Sequence, residues 1–167
     1  MDTTQIEGGP VAPSSKVDFF HHTSLDAPDD LSELPEATAS DEAKRLALAI
    51  ASAGLDKKAT GIEIIDVSAK VDYTQLLVLM SGRRDRHVHA IASGVQRELK
   101  EKLGVAPLSV EGLTTSQWVL LDFNDVVVHV FQEDSRCFYD LEGLWIDAQR
   151  VVVPEPPQRR ASEQVPE

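Results

Sequence analysis

The chain has 167 residues, 42% of them hydrophobic, which is enough for one domain with a sizeable core and flanking tails. Its net charge of −12 is unevenly spread: residues 1–40 hold eight acidic residues and one basic residue, whereas residues 41–150 hold seventeen and thirteen. The single cysteine, Cys137, excludes a disulfide framework and a cysteine zinc cluster, and we expect its thiol to be buried. No targeting signal or membrane-spanning stretch is present, so we expect a soluble cytosolic protein.

The composition divides the chain into three parts. Residues 1–38 mix Gly, Pro, Ser and Asp without a sustained hydrophobic period, which predicts a disordered acidic tail. Residues 151–167 contain closely spaced prolines, which cannot sustain a helix or a central strand, so a flexible C-terminal tail is predicted. The folded domain is therefore predicted at residues 39–150.

The first half of this domain reads as a helix followed by two strands. Ser40 is a candidate N-cap, the apolar positions that follow recur at helical spacing, and Gly54 marks the expected end of the helix. The stretches GIEIIDVS and YTQLLVLMSG then predict strands. Because the second stretch is almost entirely apolar, we expect it to be central and covered on both faces.

The second half begins with another amphipathic helix. It runs from about Asp85 to Gly104, a residue that suits a left-handed helix cap. Short strands at LSVEG, QWVLLDF and VVVHVF precede a last helix around SRCFYDLEGLWIDA. The element order predicts an α/β (α+β) fold in which helices pack on a mixed five-stranded sheet.

The QWVLLDF and VVVHVF strands are predicted to form a tight hairpin. A two-residue type I′ turn at Asn124 and Asp125 would place six apolar side chains on one face of the hairpin. The opposite face is mixed, because it carries Trp118, Asp122 and His129. Two hypotheses remain open: either a helix covers this face and His129 is a hydrogen-bonded core residue, or part of the face is open and contacts a partner.

No pattern for chemistry stands out. His87 and His89 point in different directions on a helix. Neither Asp66 with Asp72 nor Asp122 with Asp125 has the alternate spacing on a strand that metal-assisted phosphoryl transfer needs. The stretch SGRRDRH lies at a strand-to-helix junction, where Arg83, Arg84 and Arg86 either contact RNA phosphates or form a solvated helix start.

Three segments of the chain closely resemble the ribosomal silencing factor family, which is also called RsfS or Iojap. The segments are VDYTQLLVLMSGRRDRHVHAIASGVQRELKEKLG, the dipeptide EG, and WVLLDFNDVVVHVFQEDSRCFYDLEGLWIDA. The resemblance implies a nucleotidyltransferase-like fold without the active site, and no catalytic residue, metal or cofactor. The family commonly has glycine where this chain has Ser116 and Asn124.

The resemblance also implies a function. Members bind the large ribosomal subunit at ribosomal protein fourteen and block joining of the small subunit, which represses translation, so a cytoplasmic, ribosome-associated location is expected. We expect the partner-binding residues to be Asp72, Tyr73, Trp118, Asp122, His129, Tyr139 and Glu142, with Arg83, Arg84 and Arg86 as possible contacts to the ribosomal RNA backbone. Alternatives are a nucleotidyltransferase-like enzyme acting on RNA or a nucleotide, and a large-subunit assembly factor. A homodimer is also possible.

Overall fold

The structure is a computed structural model that describes residues 37–155. The predicted acidic tail therefore lies outside the described residues except for its last two positions, as does the predicted C-terminal tail beyond residue 155. The elements, in chain order, are α1 (Asp41–Asp56), β1 (Thr60–Asp66), β2 (Leu76–Gly82), α2 (Asp85–Leu103), β3 (Ser109–Glu111), β4 (Trp118–Asp122), β5 (Val126–Gln132), α3 (Glu133–Tyr139), α4 (Leu141–Leu144) and β6 (Gln149–Val151).

The strands form one mixed sheet in the order β3-β4-β5-β2-β1-β6. Strands β2 and β5 pair in parallel, and the other neighbours are antiparallel. The α+β class is confirmed, and β2 is central and buried along its whole length, as its apolar sequence predicts. The predicted count of five strands is one too few, because β6 adds to the open edge of β1.

Helices α1 and α2 pack on one face of the sheet. Ser40 caps α1 by accepting a hydrogen bond from the backbone N–H of Ala43 at 3.2 Å. The helix continues past Gly54, its expected end, to Asp56. Gly54 instead allows close packing of α1 on the sheet, since a Cβ there would lie 2.7 Å from the Met80 sulfur. The apolar side chains between these helices and the sheet form the larger of two cores.

The hairpin of β4 and β5 has the predicted register. Trp118 pairs with Phe131 and Asp122 pairs with Val127, so the alternation read from the sequence is confirmed. The type I′ turn is wrong, because Asn124 has a positive φ of 72° and Asp125 does not. The carboxylate of Asp122 instead accepts the backbone N–H of Asn124 at 2.8 Å, which holds the turn.

The segment after β5 lies on the other face of the sheet. It is two short helices, not one, because Asp140 adopts a left-handed conformation at φ 45° between α3 and α4. The Asp140 carboxylate accepts the backbone N–H of Gly143 at 3.2 Å and so starts α4. The side chains of Leu141 and Trp145 pack from this segment against the sheet in a second core. Cys137 is exposed, so the expectation of a buried thiol is wrong.

Candidate functional site

The mixed face of the β4–β5 hairpin is covered. Trp118 and His129 are each 4% exposed and Asp122 is 2% exposed. Leu141 and Trp145 pack over Trp118 on this face of the sheet, whereas the Asp122 carboxylate accepts the backbone N–H of Asn124 in the hairpin turn. The structure therefore shows the arrangement in which a helical segment packs on the mixed face. These three predicted partner-binding side chains form the layer beneath the surface and not the surface itself.

His129 is a hydrogen-bonded core residue. Its Nδ1 accepts the indole N–H of Trp118 at 3.0 Å, and the ring is stacked 6.0 Å from that of Phe131. Burial lowers the pKa of His129 to about 4, so the imidazole is neutral at neutral pH. A neutral ring that accepts from tryptophan positions an aromatic cluster, and this is the role that the contacts of His129 support.

The outer side of the α3–α4 segment exposes an apolar surface. Phe138 is 72% exposed, Leu144 50% and Ile146 78%. Tyr139 is half-buried and connects this surface to the core, since its ring lies 4.6 Å from that of Trp118 and 5.1 Å from that of Phe138. We call Phe138, Leu144 and Ile146, together with Tyr139, the α3–α4 patch.

The segment that carries the α3–α4 patch is acidic. Residues 133–147 contain five acidic residues and one basic residue. Glu133, Asp134 and Asp140 are exposed, and the Asp147 carboxylate pairs with the Lys70 ammonium at 2.7 Å. Several exposed apolar side chains in one short segment that is also rich in acidic residues are typical of a macromolecular contact site.

Arg136 fastens this segment to the sheet. Its guanidinium donates to the backbone carbonyl of Gly61 and to the Ser81 hydroxyl at 2.8 Å, and it forms an ion pair with Glu142. The predicted partner-binding residue Glu142 is therefore paired within the chain, and its side chain is 25% exposed. Sequence reasoning assigned no role to Arg136, although an arginine inside an aromatic, partly buried segment is a signal for a buried ion pair.

Asp72 and Tyr73 lie in the loop that precedes β2. They line a shallow polar cleft of about 330 Å³ together with Asn124 and Asp125 of the hairpin turn. Burial raises the pKa of Tyr73 to about 12, so its hydroxyl stays protonated. The Lys70–Asp147 ion pair joins this loop to the end of the α3–α4 segment, so Asp72 and Tyr73 adjoin the patch without being part of it.

The three arginines lie at the opposite end of β2. Arg83, Arg84 and Arg86 are all exposed where β2 leads into α2, on the α1–α2 side of the sheet. The start of α3 is at the same end of the sheet, because Gly82 and Gln132 are paired in the parallel β2–β5 ladder. The two helices then run over opposite faces, so the structure separates the arginines from the α3–α4 patch.

Within residues 37–155 we find no group of three or more His, Cys, Asp or Glu side chains that could hold a metal ion. No helix in this part of the chain is long and apolar enough to cross a membrane. The most prominent candidate site is the α3–α4 patch, because exposed apolar side chains of this kind are typical of surfaces that bind a macromolecule.

The chain belongs to the ribosomal silencing factor family. The family model described as "Ribosomal silencing factor during starvation" (RsfS) matches residues 40–167. The Ribosomal silencing factor RsfS of Bacillus subtilis is 38% identical over 102 residues, which cover 60% of this chain and 86% of the relative. This match confirms the resemblance to the family seen in the sequence.

Two further comparisons show relatives that differ in how much of their own length this chain covers. A crystal structure of a Chromobacterium violaceum protein superposes with a TM-score of 0.60 at 33% identity, covering 70% of this chain and 95% of that one. The mouse protein named "Mitochondrial assembly of ribosomal large subunit protein 1" is 32% identical over 91 residues, covering 53% of this chain and 40% of the relative. The fold and the ribosome-related names therefore recur among relatives that differ in length.

Proposed function

We propose that this protein is a translation repressor that binds the large ribosomal subunit at ribosomal protein fourteen and prevents the small subunit from joining. Membership of the ribosomal silencing factor family supports the proposal, as do relatives that are named silencing factors and not enzymes. Repression needs no chemical step, because a folded domain on the joining surface excludes the second subunit by its volume. The protein would act in the cytoplasm in association with the ribosome.

The observation that carries the proposal is the α3–α4 patch. Phe138, Leu144 and Ile146 are exposed apolar side chains that a partner can desolvate, and such anchors supply most of the energy of an interface. The acidic rim suits a basic partner such as a ribosomal protein, because opposite charges speed encounter and select against acidic surfaces. Chemistry and charge at this surface agree with the proposed partner.

The other predicted binding residues have different roles in this proposal: some contact the partner directly and others support the residues that do. Tyr139 contacts the partner at the edge of the patch, and Asp72 with Tyr73 extends the contact along the adjoining loop. Glu142 acts through Arg136 by holding α4 in place. Trp118, Asp122 and His129 act from beneath, because their burial leaves them to shape the segment above.

Assembly of the large subunit is a second candidate function, and one observation favours it. The mouse relative carries assembly of the mitochondrial large subunit in its name. Both functions would use the same contact with the large subunit, but assembly requires binding to immature particles. Comparing the affinity for mature and immature large subunits separates the two.

A subunit-joining assay tests the proposal. Purified protein in excess should reduce the joined ribosomes seen by sucrose-gradient sedimentation when it is added to separated subunits. Replacing Phe138 and Ile146 by Ser should leave the fold intact and weaken binding to the large subunit by at least about 30-fold, since each anchor contributes about 1–2 kcal/mol. Leu108→Ser is the matched control, because Leu108 is also 72% exposed but lies before β3.

Three outcomes are informative in this assay. Loss of inhibition in the Phe138/Ile146 variant with full inhibition by the Leu108 variant supports the patch as the contact. Equal inhibition by all three proteins would show that the contact lies elsewhere. If excess native protein leaves the yield of joined ribosomes unchanged, the proposed function itself is refuted.

A further inference from the structure

The outward face of α2 carries a row of basic side chains. Arg86, Arg97 and Lys100 are separated by eleven and three residues, which places them on one face of a helix, and all three are exposed. Arg83 and Arg84, which are also exposed, immediately precede the helix. We call these five residues the α2 stripe, and from Arg86 to Lys100 it extends over about 21 Å.

The cations of the α2 stripe have no acidic partners in residues 37–155. None of the five takes part in an ion pair within this described part of the chain. Glu98 instead pairs with Lys102 at 2.5 Å on the side of the helix that faces α1. Two exposed acidic residues flank the row: Asp85, whose carboxylate accepts the backbone N–H of Arg86 at 2.8 Å, and Glu101, which follows Lys100 and lies four residues after Arg97.

His87 fixes the start of the stripe. Its Nδ1 accepts the backbone N–H of Arg83 at 3.1 Å, and its Nε2–H donates to the carbonyl of Lys57 at 2.8 Å. The ring therefore ties the β2–α2 junction to the end of α1. The Lys57 side chain then runs across α2 at Gly94, where an added Cβ would lie 2.6 Å from Lys57 Cε. This arrangement brings a further cation beside the row and orders the backbone that carries the first arginines.

A row of exposed cations that form no ion pair with any residue between 37 and 155 fits a polyanion. The stripe is too long for one small anion, and its length spans several successive phosphates of a nucleic-acid strand. The exposed positions between Arg86 and Arg97 are His89, Ala90 and Ser93, and the small side chains of Ala90 and Ser93 allow a sugar-phosphate backbone to approach the helix. The exposed face of α2 has no Phe, Tyr or Trp for base stacking, and its one ring, His89, has its Nδ1 3.5 Å from the Ser116 hydroxyl, so backbone contacts that do not depend on base sequence are expected.

We propose that the α2 stripe binds the phosphate backbone of ribosomal RNA. The inference rests on the proposed function only in identifying the RNA as ribosomal. The stripe and the α3–α4 patch lie on opposite faces of the sheet, so protein and RNA contacts do not compete for one surface. Each surface matches the charge of its partner: the acidic patch meets a basic protein, and the basic stripe meets RNA.

Fluorescence anisotropy with a labelled duplex RNA from the large-subunit RNA tests the proposal. Arg86→Glu with Arg97→Glu should weaken binding at least tenfold at 0.1 M salt. It should also reduce the slope of log affinity against log salt by about 1–2, as expected for two lost phosphate contacts. Arg45→Glu is the control for the single variant Arg97→Glu, because Arg45 is an exposed arginine on α1. Arg45→Glu should change the affinity for RNA by less than twofold.

The outcomes separate the stripe from the patch. The stripe variant should keep its affinity for isolated ribosomal protein fourteen, and the Phe138/Ile146 variant should keep its affinity for RNA. If the protein does not bind ribosomal protein fourteen yet loses RNA binding in the stripe variant, the proposed function fails and the stripe stands. RNA binding unchanged in the stripe variant overturns the inference. Competition by polyglutamate as effective as that by RNA also overturns it, because the stripe would then be a general anion surface.

Discussion

Lowering the pH from 7 to 5 should weaken the fold through one buried side chain, His129. The folded protein holds this imidazole neutral, with Nδ1 accepting the Trp118 indole N–H at 3.0 Å, and burial lowers its pKa to about 4 from an ordinary 6.5. The unfolded chain takes up a proton below pH 6.5, whereas the folded chain does not until about pH 4. The free energy of unfolding therefore falls as the pH drops from 6.5 to about 4, whereas above pH 6.5 the neutral His129 causes no loss of stability.

The size of the effect follows from the two pKa values. Each pH unit between them changes the free energy of unfolding by about 1.4 kcal/mol, so the loss is about 2 kcal/mol at pH 5 and about 3 kcal/mol at pH 4. A domain of this size has a stability of only about 5–15 kcal/mol, which makes a loss of this size easy to measure.

Urea denaturation at pH 7, 6 and 5 measures the effect, with His129→Asn as the comparison. The Asn side-chain oxygen can accept the Trp118 N–H but does not titrate, so other titrating groups cancel in the difference between the two proteins. The variant should be less stable at pH 7, because the smaller side chain leaves a cavity, and the difference should shrink by about 2 kcal/mol by pH 5. A difference that stays constant within about 0.5 kcal/mol would refute the assignment of a neutral, buried His129.

Three further predictions concern stability. Gly112→Ala should cost at least about 2 kcal/mol in thermal denaturation, because φ is 84° and a Cβ would lie 2.0 Å from the Trp118 carbonyl oxygen. Gly104→Ala should cost only about 1 kcal/mol, because φ is 65° but no atom lies within 4 Å of the added Cβ. Equal losses of stability in the two variants would contradict the steric argument. Asn124→Val should cost about 1–2 kcal/mol by urea denaturation and Asn124→Gly should cost nothing, and a tolerated valine would rule out the positive φ. Arg136→Lys and Glu142→Gln should couple by about 1 kcal/mol in a double-mutant cycle, and strict additivity would show that their ion pair contributes no stability.

The hairpin shows which structural features the alternation of hydrophobic residues can predict. Alternate residues of a strand point to opposite faces, so the sequence alone paired Leu121 with Val128 and predicted the apolar face that the structure confirms. Alternation does not reveal what lies over the second face. That face is covered by residues from a later segment, and the two hypotheses for His129 could not be separated without their positions.

The features that the sequence did not predict depend on long-range packing. Strand β6 has three residues beside a proline-rich stretch, and it forms only because β1 offers it an open edge. The exposed Phe138 and the half-buried Tyr139 are neighbours in one short helix, so they point about 100° apart and both cannot face the core. Sequence identified aromatic content here without showing which ring is outside, whereas the structure assigns Phe138 to the surface.

Strand β6 also bears on how the candidate binding surface behaves before it meets a partner. The chain is fixed at β5 before α3 begins, and the β6 ladder, from Gln149 opposite Asp66 to Val151 opposite Ile64, fixes it again after α4. A segment anchored at both ends loses less backbone freedom on association than a free loop does. More of the energy of the apolar contact is then available for affinity, and the partner meets a surface that already has its bound shape.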